Sequence, residues 1–231
     1  MQEKIKSEGK CLYCDKTFAK AGINRHLATH LEEKVKSEKS GTSFLVKVET
    51  DKRWGATPYF FSLWIDSETT MKTVDKFLRN IWLECCGHMS EFEGVSKAKK
   101  AKDVFGKGVQ IDYEYDFGSS TLLTLTVIDE YSAKVDKKIV LLSRNEPLEI
   151  MCSMCGKAPA TQICTVCMYE ENAVFCDECA KKHAKKCKDF ADCASLPVVN
   201  SPRMGVCAYE GGTIDTERDR VVVPKNKIIT L

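Results

Sequence analysis

No stretch of the sequence approaches the roughly 18 consecutive apolar residues that a membrane-spanning helix needs, so no helical span is expected. The opening residues, Met-Gln-Glu-Lys-Ile-Lys-Ser-Glu, lack the apolar segment of a secretory signal. The chain is therefore expected in the cytoplasm, a reducing compartment where disulfides are rare. No glycine-rich phosphate loop follows any strand-like run, which removes the basic signature of kinase or dinucleotide chemistry. Net charge is only +2 over 231 residues, which excludes a strongly basic coat but leaves local patches open. Long repeats and low-complexity tracts are absent. Residues 150–193 have few large apolar side chains, too few to stabilise a fold by burial alone.

Against these absences stand 13 cysteines. In a reducing compartment, paired cysteines point to metal or redox chemistry rather than to disulfide staples. Eight ligand-type residues crowd the C-terminal zone as Cys152/Cys155, Cys164/Cys167, Cys176/Cys179 and His183/Cys187. A Cys-x-x-Cys turn presents two thiolates to one ion, and zinc takes four nitrogen or sulfur ligands in a tetrahedron. Eight ligands make two closed structural sites. The pairs can be wired sequentially, or cross-braced with the first pair joined to the third and the second to the fourth. The order of pairs and the terminal His-containing pair resemble the B-box and the MYND finger, and that resemblance implies cross-bracing and a protein-recognition role. Cys193 is an alternative to Cys187 as the last ligand. A third zinc is expected near the N-terminus on Cys11, Cys14, His26 and His30. There Cys-x-x-Cys is followed after 11 residues by His-x-x-x-His, with Phe18 and Ile23 as hydrophobic plugs. This spacing is one residue shorter than the usual ββα zinc finger. The start of its helix offers Lys20, Asn24 and Arg25 as candidate DNA or RNA contacts. Three zinc ions are expected in all.

The chain divides into a short finger (1–36), a core domain (42–145), a two-zinc cysteine-rich module (150–193) and a tail (194–231). The tail's last stretch reads as either an edge strand or disorder. In the core domain, Thr42–Thr50, Tyr59–Asp66, Ile111–Phe117, Thr121–Asp129 and Lys138–Ser143 read as strands. After Thr69 or Thr70 as N-cap, Met71, Val74, Phe77, Leu78, Ile81 and Trp82 recur at helical spacing. The expected fold class is α+β, a mainly antiparallel sheet with a packed helix, flanked by a ββα-type zinc finger and a cross-braced zinc module.

Several other groups carry possible chemistry. Cys85-Cys86-Gly87-His88 ends the predicted helix; core packing is the expected role, with metal binding or a thiol nucleophile as the alternative. Cys207 reads as structural or free. Asp112, Glu114 and Asp116 alternate along a strand and are expected on one face, either solvated or as acid/base groups. Lysine runs at 97–107 and 181–188 read as solvated surface or phosphate-binding patches.

His88-Met89-Ser90-Glu91-Phe92, Asp112-Tyr113-Glu114-Tyr115-Asp116-Phe117-Gly118 and the closing Leu196–Gly211 segment resemble the plasmid pRiA ORF-three-like family, whose members are often labelled TnpR-like. The family implies an α+β fold and an association with mobile elements, without an established reaction. Ser119, Ser120 and Thr121 stand where its members commonly carry Asp, Trp and His. Arg25, Arg53, Arg79, Arg144, Arg203, Arg218 and Arg220 are dispersed, unlike the arginine cluster of a serine recombinase. The expected function is therefore a non-enzymatic zinc protein that engages a protein partner through its C-terminal module. Nucleic-acid binding is the alternative, and a cryptic hydrolase or nuclease the third.

Overall fold

The computed structural model describes residues 7–37, 40–51, 58–171 and 173–220. The strand or disorder expected at the end of the tail lies outside these residues beyond position 220.

The architecture is α+β. Eight antiparallel strands form one sheet: β1 (Glu8–Cys11), β2 (Thr17–Ala19), β3 (Ser43–Thr50), β4 (Phe60–Asp66), β5 (Ser90–Phe92), β6 (Gln110–Tyr115), β7 (Thr121–Tyr131) and β8 (Ile139–Asn145). Their spatial order is β2-β1-β8-β4-β3-β7-β6-β5. Of the described residues, those in 7–80 and 87–146 make one compact unit, and those in 81–86 and 147–220 another.

Strand β4, Phe-Phe-Ser-Leu-Trp-Ile-Asp, is buried at every position. A strand that reads as continuously apolar must be covered on both faces, and two helices do this. Helix α1 (Ile23–Val35) lays Ile23, Leu27 and Leu31 against Phe60 and Trp64 of β4, Leu45 of β3 and Leu142 of β8. Asn24 of α1 accepts a 2.7 Å hydrogen bond from Ser62 on the same face. The opposite face carries α2 (Met71–Leu78), where Phe77 meets the Phe61 ring and Asp75 accepts a 2.9 Å hydrogen bond from the Tyr113 hydroxyl. Thr70 is the N-cap, its side chain accepting from Thr73 N–H at 3.3 Å. The helical spacing runs on to Trp82 as expected, but as a π-helical turn over Arg79–Leu83.

The N-terminal zone is built into this sheet. Strand β1 pairs with β8 through Gly9↔Asn145, Lys10↔Arg144 and Cys11↔Ser143. Glycine is required at position 9, because a Cβ there would lie 2.8 Å from the Phe60 ring and 2.9 Å from Ser143 Oγ. One helix on one face was the expected plan; the second, α1, comes from the finger segment.

The second unit holds a small antiparallel sheet, β10-β9-β11, of β9 (Gln162–Cys164), β10 (Val174–Phe175) and β11 (Ser195–Pro197). Pro197 sits on an edge strand, where its missing N–H breaks no ladder bond. Helices α3 (Asp177–Ala184) and α4 (Lys188–Asp192) follow. The apolar cluster under them contains Phe175 and Phe190 but is otherwise mostly cysteine and alanine.

Buried Glu49 on β3 is held by Lys20 at 2.8 Å and Lys47 at 2.7 Å. Burial alone raises the carboxyl pKa, but the two lysines outweigh it and hold it below its ordinary value. A depressed carboxyl contributes stability above its unfolded pKa and loses it as pH falls through the folded one. Thermal unfolding should therefore show Glu49→Gln destabilised by roughly 1.5–3 kcal/mol at neutral pH, with the gap closing as pH drops below 4.5.

Candidate metal centres

Among the described residues, three groups of Cys and His side chains within single units have ligand atoms within 4.8 Å of one another, close enough to hold a metal ion.

The first is Cys11, Cys14, His26 and His30. Cys11 ends β1, and the chain turns back through Asp15, whose φ is 59°, with Asp15 N–H donating to Cys11 O at 2.9 Å. His26 and His30 lie one helical turn apart on α1, so both rings face the same side. Cys14 Sγ is 3.2 Å from His26 Nε2, which is 3.1 Å from His30 Nε2. Phe18 stacks on the His26 ring at 4.0 Å and Ile23 is fully buried, the two plug positions read from the sequence. Burial, then the neighbouring His30 and Lys16, lower the His26 pKa and favour the neutral imidazole that a metal requires.

The eight C-terminal residues form two groups. Cys152 and Cys155 stand with Cys176 and Cys179, and Cys164 and Cys167 stand with His183 and Cys187. The first pair thus meets the third and the second meets the fourth. Cys187 is the member of the last group, while Cys193 is exposed and outside it. Sγ atoms approach to 3.9 Å between Cys155 and Cys176 and between Cys167 and Cys187, near the edge of about 3.8 Å that a tetrahedron with 2.3 Å zinc–sulfur bonds requires. Backbone N–H groups of Cys167 and Phe190 point at Cys164 Sγ and Cys187 Sγ, each at 3.4 Å. Burial opposes ionisation of Cys152, but N–H groups of Cys176, Cys155 and Met154 overcome it and bring the thiol down to about 6. Cys179 is pushed up to about 12 by burial and its three thiol neighbours, and Cys167 to about 12 by Cys164, burial and Cys187. Packed thiols cannot all ionise unless a cation sits among them.

Within the second unit Cys86 Sγ lies 3.8 Å from Cys85 Sγ and 3.5 Å from Cys207 Sγ, which corrects the expectation that Cys85 and Cys86 are core residues. The π-helical turn ends at Leu83, and Cys85 is then half-buried and Cys86 exposed. The adjacent thiols of Cys85 and Cys86 were visible, but without Cys-x-x-Cys spacing. Nothing local marked Cys207, 121 residues after Cys86.

The candidate nucleic-acid residues Lys20, Asn24 and Arg25 lie around the start of α1. Lys20 is bound to Glu49 and Asn24 to Ser62, leaving Arg25 exposed. In the 97–107 run, Lys97 pairs with Asp75, Lys100 and Lys102 with Glu68, and Lys107 with Asp129. The three alternating carboxylates do not share a face either. Asp112 and Glu114 lie on β6 and accept from Thr124 and Ser120. Asp116 falls beyond the strand at φ 65°, buried, accepting from the N–H groups of Gly118 and Ser119. The left-handed residue breaks the alternation on which the expectation rested.

No protein-family model matches the chain, and no curated protein matches it. A solved structure, the protein of unknown function MM3350 from Methanosarcina mazei Go1, is similar with a TM-score of 0.37 and 17% identity, over 46% of this chain and 68% of its own. No helix among the described residues is long and apolar enough to cross a membrane.

In the second unit Phe175 stacks on the His183 ring at 4.3 Å and meets Phe190 edge-on at 5.9 Å. Phe175→Ala should cost about 3–5 kcal/mol, read as faster amide exchange across Gln162–Pro197 with exchange in β3 and β4 unchanged.

Proposed function

We propose that this is a non-enzymatic zinc protein. In this reading an α+β scaffold carries a short ββα finger, with zinc on Cys11, Cys14, His26 and His30. A cross-braced module carries two more ions, one on Cys152, Cys155, Cys176 and Cys179 and one on Cys164, Cys167, His183 and Cys187. The observation that carries it is the interleaving of four sequence pairs into two groups of four. His183 supports it: its Nε2 is buried without a hydrogen-bond partner among the described residues, in a group whose other members are thiols. A buried nitrogen lone pair is costly unless something engages it, and a metal does so. Zinc would supply a closed structural tie in each site, since four protein ligands leave no position for a reactive water.

The role proposed for the module is recognition of a protein partner in the cytoplasm. Met154, Val166 and Tyr169 are exposed on its turns, with Tyr169 82% accessible. Aromatic and Met side chains on a rigid turn are the residue types enriched at protein interfaces. The likeness of Asp112–Gly118 to the plasmid pRiA ORF-three-like family adds an association with mobile elements to this reading. Nucleic-acid binding keeps one observation in its favour: Lys182, Lys185, Lys186 and Lys188 form no ion pair among the described residues.

Two measurements test the proposal. In cadmium NMR of the metal-substituted chain, Cys155→His and Cys176→His should shift the same resonance and Cys164→His a different one. Sequential wiring would instead make Cys155→His and Cys164→His act on one resonance. In fluorescence anisotropy with mixed-sequence DNA and RNA, no tight, salt-sensitive binding is expected. A steep fall in affinity with salt would transfer the function to phosphate recognition.

A further inference from the structure

Cys86 is the centre of a thiol cluster that lies wholly within the second unit. Its Sγ is 3.5 Å from Cys207 Sγ and 3.8 Å from Cys85 Sγ. Cys86 and Cys207 are both exposed, so a dissolved oxidant can reach them, whereas Cys85 is half-buried. We propose that Cys86 and Cys207 form a reversible dithiol lock, closed by a low-molecular-weight disulfide such as glutathione disulfide. The pair shares no residue with the three proposed zinc sites, so it stands or falls without them.

Three observations select this pair. The loop that carries Cys207 is already fastened beside the segment that carries Cys86. Ser201 Oγ donates to Trp82 O at 2.7 Å and accepts from Arg203 N–H at 2.9 Å, and Trp82 is fully buried. The N–H groups of Met204 and Val206 then close successive turns onto Ser201 O and Arg203 O, at 3.2 and 3.1 Å. Next, Cys85 is the poorer partner for Cys86. Neighbouring Cα atoms lie about 3.8 Å apart across a trans peptide, short of the range of about 4.4–6.8 Å that a disulfide favours. The Arg203 guanidinium also donates to Cys85 Sγ at 3.7 Å. Finally, the loop holds Cys207 at φ 55°, a conformation that a non-glycine residue keeps only where its surroundings impose it.

The chemistry is two successive thiol–disulfide exchanges. The Cys86 thiol is pushed up to about 12, first by its hydrogen bond to Cys207, then by desolvation and by Cys85. Cys86 is thus the protonated member, and the opening attack falls to Cys207. Its thiolate attacks one sulfur of glutathione disulfide, releasing one glutathione and leaving a mixed disulfide on Cys207. Capping Cys207 removes the main cause that keeps Cys86 protonated. Cys86 then loses its proton and attacks the Cys207 sulfur, forming the Cys86–Cys207 bond and releasing the second glutathione. Two protein thiols give up two electrons and two protons, and one disulfide becomes two thiols. The new bond joins residues 121 apart and encloses β9, β10 and β11. Cross-linking so long a loop removes conformational entropy from the unfolded unit.

The full chain, purified under reducing conditions, is equilibrated without oxygen at rising ratios of glutathione disulfide to glutathione, then acid-quenched, alkylated and peptide-mapped. The first change expected is the loss of two alkylatable thiols as one Cys86–Cys207 disulfide, reversed by excess glutathione. Amide exchange across β9, β10 and β11 should then slow by about 30-fold or more. Cys86→Ser should trap a glutathione adduct on Cys207, whereas Cys207→Ser should leave Cys86 unmodified at the same ratio. The wild-type map decides alone should either variant fail to fold. A Cys85–Cys86 disulfide appearing first, no Cys86–Cys207 bond before the cysteines of 150–193 oxidise, or unchanged exchange in the bonded chain overturns the proposal.

Discussion

In one of the second unit's two buried clusters, sulfur and imidazole occupy the place that aliphatic side chains occupy in the first unit. That cluster consists of Cys152, Cys164, Cys176 and Cys179 with alanines and the two rings Phe175 and Phe190, and beside it lies only a small aliphatic cluster of Ile163, Val174, Leu196 and Val198. Such a cluster buries too little apolar surface to offset the ordering of its chain. Packed thiols that cannot ionise together make matters worse without a cation. Tetrahedral closure around zinc would reverse the balance, because structural zinc contributes about 10–16 kcal/mol of apparent binding free energy to folding. The turns, the strand register and the exposed Val166 and Tyr169 would all depend on that closure.

The first unit works differently. Its strands are held by ordinary burial, and β4 is buried on both faces because α1 and α2 cover it from opposite sides. The Cys11, Cys14, His26 and His30 group lies where β1 and α1 meet, so a metal held there would fix the helix that closes one face. Two side chains around the start of α1 are engaged with that sheet while Arg25 is exposed. Lys20 neutralises Glu49 and Asn24 accepts from Ser62, side chains that an isolated finger would present to a nucleic acid. A zinc ion in this segment would serve the sheet.

Much of this was legible in the sequence because the signals were local. Period-2 and continuous apolar runs located β3, β4, β6, β7 and β8 to within a few residues, and Thr70 capped the helix as its position suggested. Cys-x-x-Cys spacing named the ligand pairs. The interleaving of those pairs did not follow from the spacing, which both wirings share, and was expected only from the resemblance to the B-box and the MYND finger. Three features depended on backbone geometry or long-range contact and left no pattern to read. The π-helical turn carried Cys85 and Cys86 out of the core. The left-handed Asp116 broke the carboxylate alternation. Cys207 met Cys86 across 121 residues.

Metal closure, more than its small apolar clusters, is what should hold the cysteine-rich segment together. The most direct test is amide NMR of the full chain before and after removal of zinc by a strong chelator under reducing conditions. Dispersed resonances from residues 150–193 are expected to collapse to unfolded positions while those of β3, β4, β6 and β7 persist. Retention of native dispersion across 150–193 in the metal-free protein would contradict a metal-held fold.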